Sequence, residues 1–292
     1  MNDRGTLKAA CPLEGGAVSS GSTCGVVSGG CLGIAMVHAD DLASGEEEKV
    51  AAVYGKLRGY TRWFEQKYGS TLCRERTGVE LTRVPGLMNY LFTGKVITRC
   101  VGHVGPAAEY VMELASKPLA AGEAGALEKG LCAAPVLRGI REDTGRGDEL
   151  LETISIALDG GVGLSGGLCG ALAAALMPIG SLWGVDPRDG VRATLAPFIT
   201  GHLNMYLGRQ RAELWSVGGP LVHGFKKRFG SLECREITGR SFDGVSDLAD
   251  YMSESRVCVE IKDWCRSEVS LINGVRSDFI SSRTSSRDAG CD

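Results

Sequence analysis

An eleven-residue stretch occurs twice in this chain, and the repetition confines it to a duplicated architecture. Residues 68–78 read YGSTLCRERTG and residues 229–239 read FGSLECREITG, with Gly, Ser, Cys, Arg, Glu, Thr and Gly recurring at seven of eleven positions. Each copy reads as the end of one helix and the start of another. Gly69 or Gly230 suits the left-handed conformation that ends a helix, and Ser70 or Ser231 suits a cap on the next one. The corner then places Cys73 and Cys234 at about the third residue of a new helix, among unpaired N–H groups that stabilise a thiolate. A buried thiol at a helix corner explains either copy equally well when taken alone.

With 292 residues the chain has room for two ordinary domains, and the repeat favours two. A formal charge of −3 and the absence of a basic stripe argue against holding nucleic acid by phosphate neutralisation. The N-terminal residues MNDRGTLKAACPLEGG lack the basic start and apolar run of a secretory signal, so a cytoplasmic protein is expected. The most apolar stretch, 168–183, is short and interrupted by Gly170, Pro178 and Gly180, which fits a buried helix better than a membrane span. Eleven cysteines in such a chain point to metal or redox chemistry, because the cytosol keeps ordinary thiols reduced.

Helical periodicity is clearest from Glu46 to Tyr68, where Val50, Val53, Tyr54, Leu57, Tyr60, Phe64 and Tyr68 define one face. Strand signals are few, so the fold class expected is all-α: two duplicated helical modules with glycine-rich loops, related by a pseudo-twofold axis if the copies pack symmetrically. The boundaries read as 1–120 for a first module shortened at its N-terminus, 121–275 for a complete second module, and 276–292 for a disordered tail without apolar periodicity. Residues 117–123 suit a linker. The glycines of 160–167 lack the Lys-Ser/Thr of a phosphate loop and are assigned to the turn that presents Cys169.

Aligning the copies pairs Cys24 with Cys169, Cys73 with Cys234, and Cys100 with Cys258. Packing alone does not account for three paired thiols. Cys132, then Cys169-Gly170-Ala171, then Cys234 and Cys258 resemble the C-GCAxxG-C-C family of redox-active proteins, a module also seen in split-Soret cytochromes. The likeness covers about 123–275, and 11–117 is similar but shortened. The sequence departs from the pattern at Ala174 and at Val26, while Gly29 is retained. Cys11 lies 13 positions ahead of Cys24, whereas Cys132 lies 37 ahead of Cys169, so Cys31 is the alternative fourth member of the first set.

The resemblance implies redox function, and Cys₄ sets are the usual ligands of iron–sulfur clusters. The expectation is therefore a redox protein that binds clusters through Cys24, Cys31, Cys73 and Cys100 and through Cys132, Cys169, Cys234 and Cys258, and passes electrons to a partner protein. Neither nucleic acid nor membrane is an expected partner, and an oligomer is left open. Two alternatives use the same cysteines: thiol/disulfide exchange without a cofactor, and a zinc-stabilised interaction module. His103, three residues after Cys100, reads as a surface or core histidine, since the second copy has Ile261 there. Glu75 and Glu236 read as structural supports of the repeated corner.

Overall fold

The computed structural model describes residues 4–119, 130–209 and 211–287. The first module contains α1 (Arg4–Ala10), α2 (Gly25–Val37), α3 (Ala39–Ser44), α4 (Glu47–Tyr68), α5 (Cys73–Thr77), α6 (Val84–Phe92), a π-helical stretch Val96–Val101, and α7 (Gly102–Ser116). The second contains α8 (Ala133–Thr144), α9 (Glu149–Ile154), α10 (Gly170–Trp183), α11 (Val191–Tyr206), α12 (Leu214–Phe229), α13 (Cys234–Thr238), α14 (Val245–Glu254) and α15 (Arg256–Arg287). The protein is all-α, and its only extended pairings among the described residues are two isolated bridges, Thr23 with Leu72 and Leu168 with Glu233. Those bridges occupy equivalent places in the two copies. The proposed linker lies partly outside the described residues, as do 288–292 of the tail.

The sequence of α10 explains its position. GALAAALMPIG has no polar face, so the helix must be surrounded on all sides, and it is buried from Gly170 to Gly180. It packs against α1, α8, α12 and α15. A Cβ on Gly180 would lie 2.6 Å from the carbonyls of Lys8 and Ala9, so only glycine lets α1 cross so closely. Its counterpart α2 packs on α4 and α7. Buried residues from both copies form one continuous core, while Cys73, Val79, Leu81, Leu87 and Tyr90 make a smaller cluster in the first module.

The repeated corner is present in both copies. Gly69 (φ 86°) and Gly230 (φ 81°) end α4 and α12. Ser70 and Ser231 accept hydrogen bonds from the N–H groups of Leu72 and Glu233, and donate to Glu75 and Glu236. The new helices start later than expected, so Cys73 and Cys234 are their first residues.

Each glycine loop is a left-handed turn. Gly15, Gly16, Ala17, Val18 and Ser19 have φ between 49° and 78°, and Gly160 to Leu164 lie between 58° and 82°. Non-glycine residues there cost roughly 1–2 kcal/mol each, most severely at β-branched Val18 and Val162. Equivalent backbone bonds hold both turns: Val18 N–H to Pro12 O at 2.7 Å and Gly163 N–H to Ala157 O at 2.8 Å.

The two modules exchange contacts about a pseudo-twofold relation. Tyr54 Oη on α4 donates to Asp159 at the head of the second loop (2.6 Å), and Trp215 Nε1 on α12 donates to Glu14 at the head of the first (3.3 Å). Tyr54 and Trp215 each lie fourteen residues before the aromatic that ends its helix, and the two acids each lie ten before Cys24 or Cys169. Each module's loop is thus braced by the other module's long helix. Arg74 to Glu233 (2.7 Å) ties the two corners directly, and Leu168 N–H to Thr23 Oγ1 (2.7 Å) ties the segments that follow the two loops.

Candidate functional site

Four thiols of the second module line one small cavity. Cys132, Cys169, Cys234 and Cys258 face it together with Ile237, Leu248, Met252 and Ile261. Each thiol sits at the start of a helix: Cys132 and Cys169 are the N-caps of α8 and α10, Cys234 is the first residue of α13, and Cys258 is the third of α15. Helix starts leave N–H groups without intrahelical partners. Here the N–H groups of Leu172 and Ala171 point at Cys169, and that of Gly160 points at Cys132.

Local sequence fixes this convergence. Cys169 N–H bonds to Leu232 O (2.8 Å) and Cys234 N–H to Gly167 O (2.6 Å), so loop and corner are laced beside their two thiols. A Cβ on Gly170 would lie 2.6 Å from Leu158 O and 3.1 Å from Cys132 Cβ, so glycine after Cys169 is what admits Cys132. Asp159 accepts from the N–H groups of Leu131, Cys132 and Ala133 at 2.9–3.0 Å and so anchors the start of α8. Sequence reasoning passed over Asp159, although its register with Glu14 ahead of the paired cysteines was a readable signal.

Burial dominates the electrostatics. It pushes the Cys169 thiol up to about 11 against the pull of its N–H donors, and raises Cys132 and Cys234 well above the ordinary thiol range, with neighbouring cysteines adding to the effect. At neutral pH these thiols are protonated. The expectation that the corner itself stabilises a thiolate fails for the same reason: Cys73 is raised by burial first and by Cys24 and Cys100 next, and its own N–H is used by Ser22 O.

Donor chemistry fits a soft metal or cluster, and the N–H groups suit its sulfurs. The cavity, about 20 Å³, is closed down to roughly the room of one water. Cys132 Sγ rests 3.4 Å from Met252 Sδ. Among the described residues no three His, Cys, Asp or Glu side chains are gathered tightly enough to hold a metal ion. The pliable Met252 of α14 forms part of the wall that faces the thiols.

In the first module Cys24, Cys73 and Cys100 are brought together, with Cys24 the N-cap of α2. The same lacing recurs, Cys24 N–H to Thr71 O (2.8 Å) and Cys73 N–H to Ser22 O (2.7 Å). Cys31 stands apart: it is fully buried, and its sulfur lies 2.9 Å from where a Cβ on Gly163 would be, against the second module's loop. Cys11 is not the counterpart of Cys132 either, because it falls thirteen residues before Cys24, in register with Ile156. No helix equivalent to α8 precedes the first loop among the described residues.

Two apolar walls of the second cavity are replaced in the first module. Arg76 stands where the other copy has Ile237, and His103 where it has Ile261. Arg76 Nη1 donates to Cys24 Sγ at 2.8 Å, and Nη2 donates to Arg99 O at 2.7 Å and contacts His103 Nδ1. The guanidinium also lies over the Phe64 and Tyr68 rings. His103 is lowered by burial and by Arg76, so it stays neutral and accepts. Cys265 is buried near Cys169 and does not line the cavity.

No helix among the described residues is long and apolar enough to cross a membrane. No curated protein and no solved structure matches the chain. A family model described as "Putative redox-active protein (C_GCAxxG_C_C)" matches residues 1–114 and again 131–269. With both copies matched and three of the four cysteine positions recurring in the first, the chain belongs to this redox-active family as a tandem duplication.

Proposed function

We propose that the second module binds an iron–sulfur cluster through Cys132, Cys169, Cys234 and Cys258 and that the protein carries electrons in the cytoplasm. One observation carries this reading: four thiols from four helix starts converge on a single sheltered cavity with backbone N–H groups directed at two of them. When bound, such a cluster would supply one-electron chemistry that zinc lacks. The chain's own contribution is to supply four sulfurs, to shelter them behind Ile237, Leu248 and Ile261, and to hold α8 in place through Asp159. Cys258, half-buried where the other three are nearly covered, marks the side on which a partner protein would exchange electrons.

High thiol pKa values make loading proton-coupled. Each thiol gives up a proton on ligation, so uptake strengthens as pH rises. The raised values of Cys132, Cys169 and Cys234 argue against exchange by these three thiols at neutral pH, because the thiolate is the nucleophile. Anaerobic protein, reconstituted with iron and sulfide, should show charge-transfer absorption and iron with sulfide in cluster proportion. Colourless protein that holds neither element would rule the reading out.

A further inference from the structure

The first module has no counterpart of the helix that supplies Cys132 among the described residues, and a cavity of about 650 Å³ lies where that helix would begin. Three positions fix the correspondence. Glu14, Gly25 and Gly29 line the cavity, and they stand in register with Asp159, Gly170 and Ala174. In the second module Asp159 binds the start of α8, Gly170 lies against Cys132, and Ala174 is fully buried. In the first, Gly29 is exposed, and a Cβ on it would meet nothing within 4 Å. Part of the gap is closed by α11, the long counterpart of the six-residue α3, which contributes Leu195 and Phe198. What remains has the volume of a small-molecule site.

Glu14 is the one acid among the described residues lining the cavity, and no lysine, arginine or histidine lines it. Ser19 Oγ (2.8 Å) and Trp215 Nε1 (3.3 Å) donate to its Oε1, and Oε2 accepts no hydrogen bond among the described residues. Asp159 takes three N–H bonds from the start of α8, and these are the donors that Glu14 lacks. The Cys11 thiol in the same wall is pushed up to about 11 by burial and stays neutral. Tyr90, Phe198 and Trp215, from three different helices, add aromatic surface. A primary ammonium brings three N–H donors and a positive charge, and aromatic rings attract it as well. Burial raises Glu14 to about 7, and a cation at Oε2 opposes that rise.

We propose that this cavity binds a primary amine with an apolar body, its ammonium at Glu14 in place of the α8 N–H groups and its body along Gly29 and Leu195. A quaternary ammonium has the charge but no donor, and an alcohol has one donor but no charge, so both match Oε2 less well. Binding there involves none of Cys132, Cys169, Cys234 and Cys258, and is therefore independent of a cluster in the second module.

The test is calorimetric titration of the full-length protein with octylamine, octyltrimethylammonium and octanol. It is run at about pH 8, where Glu14 is ionised and the amine still protonated. Octylamine should bind at a single site, about tenfold or more tighter than either analogue. Glu14→Gln keeps an acceptor for Ser19 and Trp215 while removing the charge; it should weaken octylamine by about tenfold and leave octanol within about twofold. Gly29→Leu fills the cavity from a position with open space, and should weaken octylamine by about tenfold. Circular dichroism and urea unfolding check that both variants fold. Octylamine that fails to bind, or binds no tighter than octanol or octyltrimethylammonium, would overturn the proposal, and that comparison needs no variant. So would unchanged octylamine affinity in folded Glu14→Gln or in folded Gly29→Leu.

Discussion

The two modules share a helix corner, a left-handed loop and the same lacing of loop to corner, and they differ in what those elements enclose. In the second, three apolar side chains and Met252 close a cavity over four thiols. In the first, a guanidinium stands among three. Duplication kept the scaffold that brings cysteines to helix starts, and two substitutions on that scaffold, Ile237 against Arg76 and Ile261 against His103, were enough to alter the charge at its centre. The comparison separates what the fold requires from what the chemistry selects.

The sharpest way to break this contrast is to remove one thiol from each side. Cys234→Ser should abolish the cluster absorption while leaving most helical circular dichroism, and Cys73→Ser should leave absorption and iron content unchanged. Equal losses from both would return the modules to a single function. Next in size, Ile237→Arg carries the first module's cation into the second, and its iron content after reconstitution should fall to background. All three variants are read by metal and sulfide analysis.

Stability should divide the modules as well. Asp159 binds three N–H groups and Tyr54 Oη, whereas among the described residues Glu14 accepts from Ser19 and Trp215. Asp159→Ala should cost about 3 kcal/mol in urea unfolding and Glu14→Ala about 1 kcal/mol, since each stranded N–H adds its desolvation. A smaller effect is pH-dependent. Withdrawal from water raises Glu14 from 4.5 to about 7, so the folded protein binds this proton more tightly than the unfolded chain. Its contribution is then full below about pH 4.5 and is lost as pH rises through about 7, and Glu14→Gln should flatten the melting temperature across that window. Smallest of all, Tyr54→Phe removes one hydrogen bond and should cost about 1 kcal/mol.

Much of the fold was legible in local patterns. The apolar face of 46–68, the glycines that end α4 and α12, and the paired cysteines all act within a few turns of chain, and each appears in the structure. Cys31 was misplaced for a geometric reason. Seven residues bring a side chain back to nearly the same helix face but about 10 Å farther along the axis, beyond reach of a site built at the helix start. The thiolate expected at the repeated corner was misjudged because burial outweighs a few N–H dipoles. The braces were invisible to any local reading: Tyr54 meets Asp159 across 105 positions and Trp215 meets Glu14 across 201. Only the register of the acids ahead of the paired cysteines hinted at them.

Those exchanged bonds bear on how such a chain arises. A single-module ancestor would have had no second long helix within itself to brace its loop, and the same aromatic-to-carboxylate bond could be made only to an identical neighbour. The arrangement is that of an isologous dimer, in which each subunit completes the other through one patch used twice. Joining the two copies in one chain keeps that interface at fixed stoichiometry and releases the halves from having to be the same. A symmetric pair must carry every substitution at both centres; a fused one can place isoleucine at one and arginine at the other.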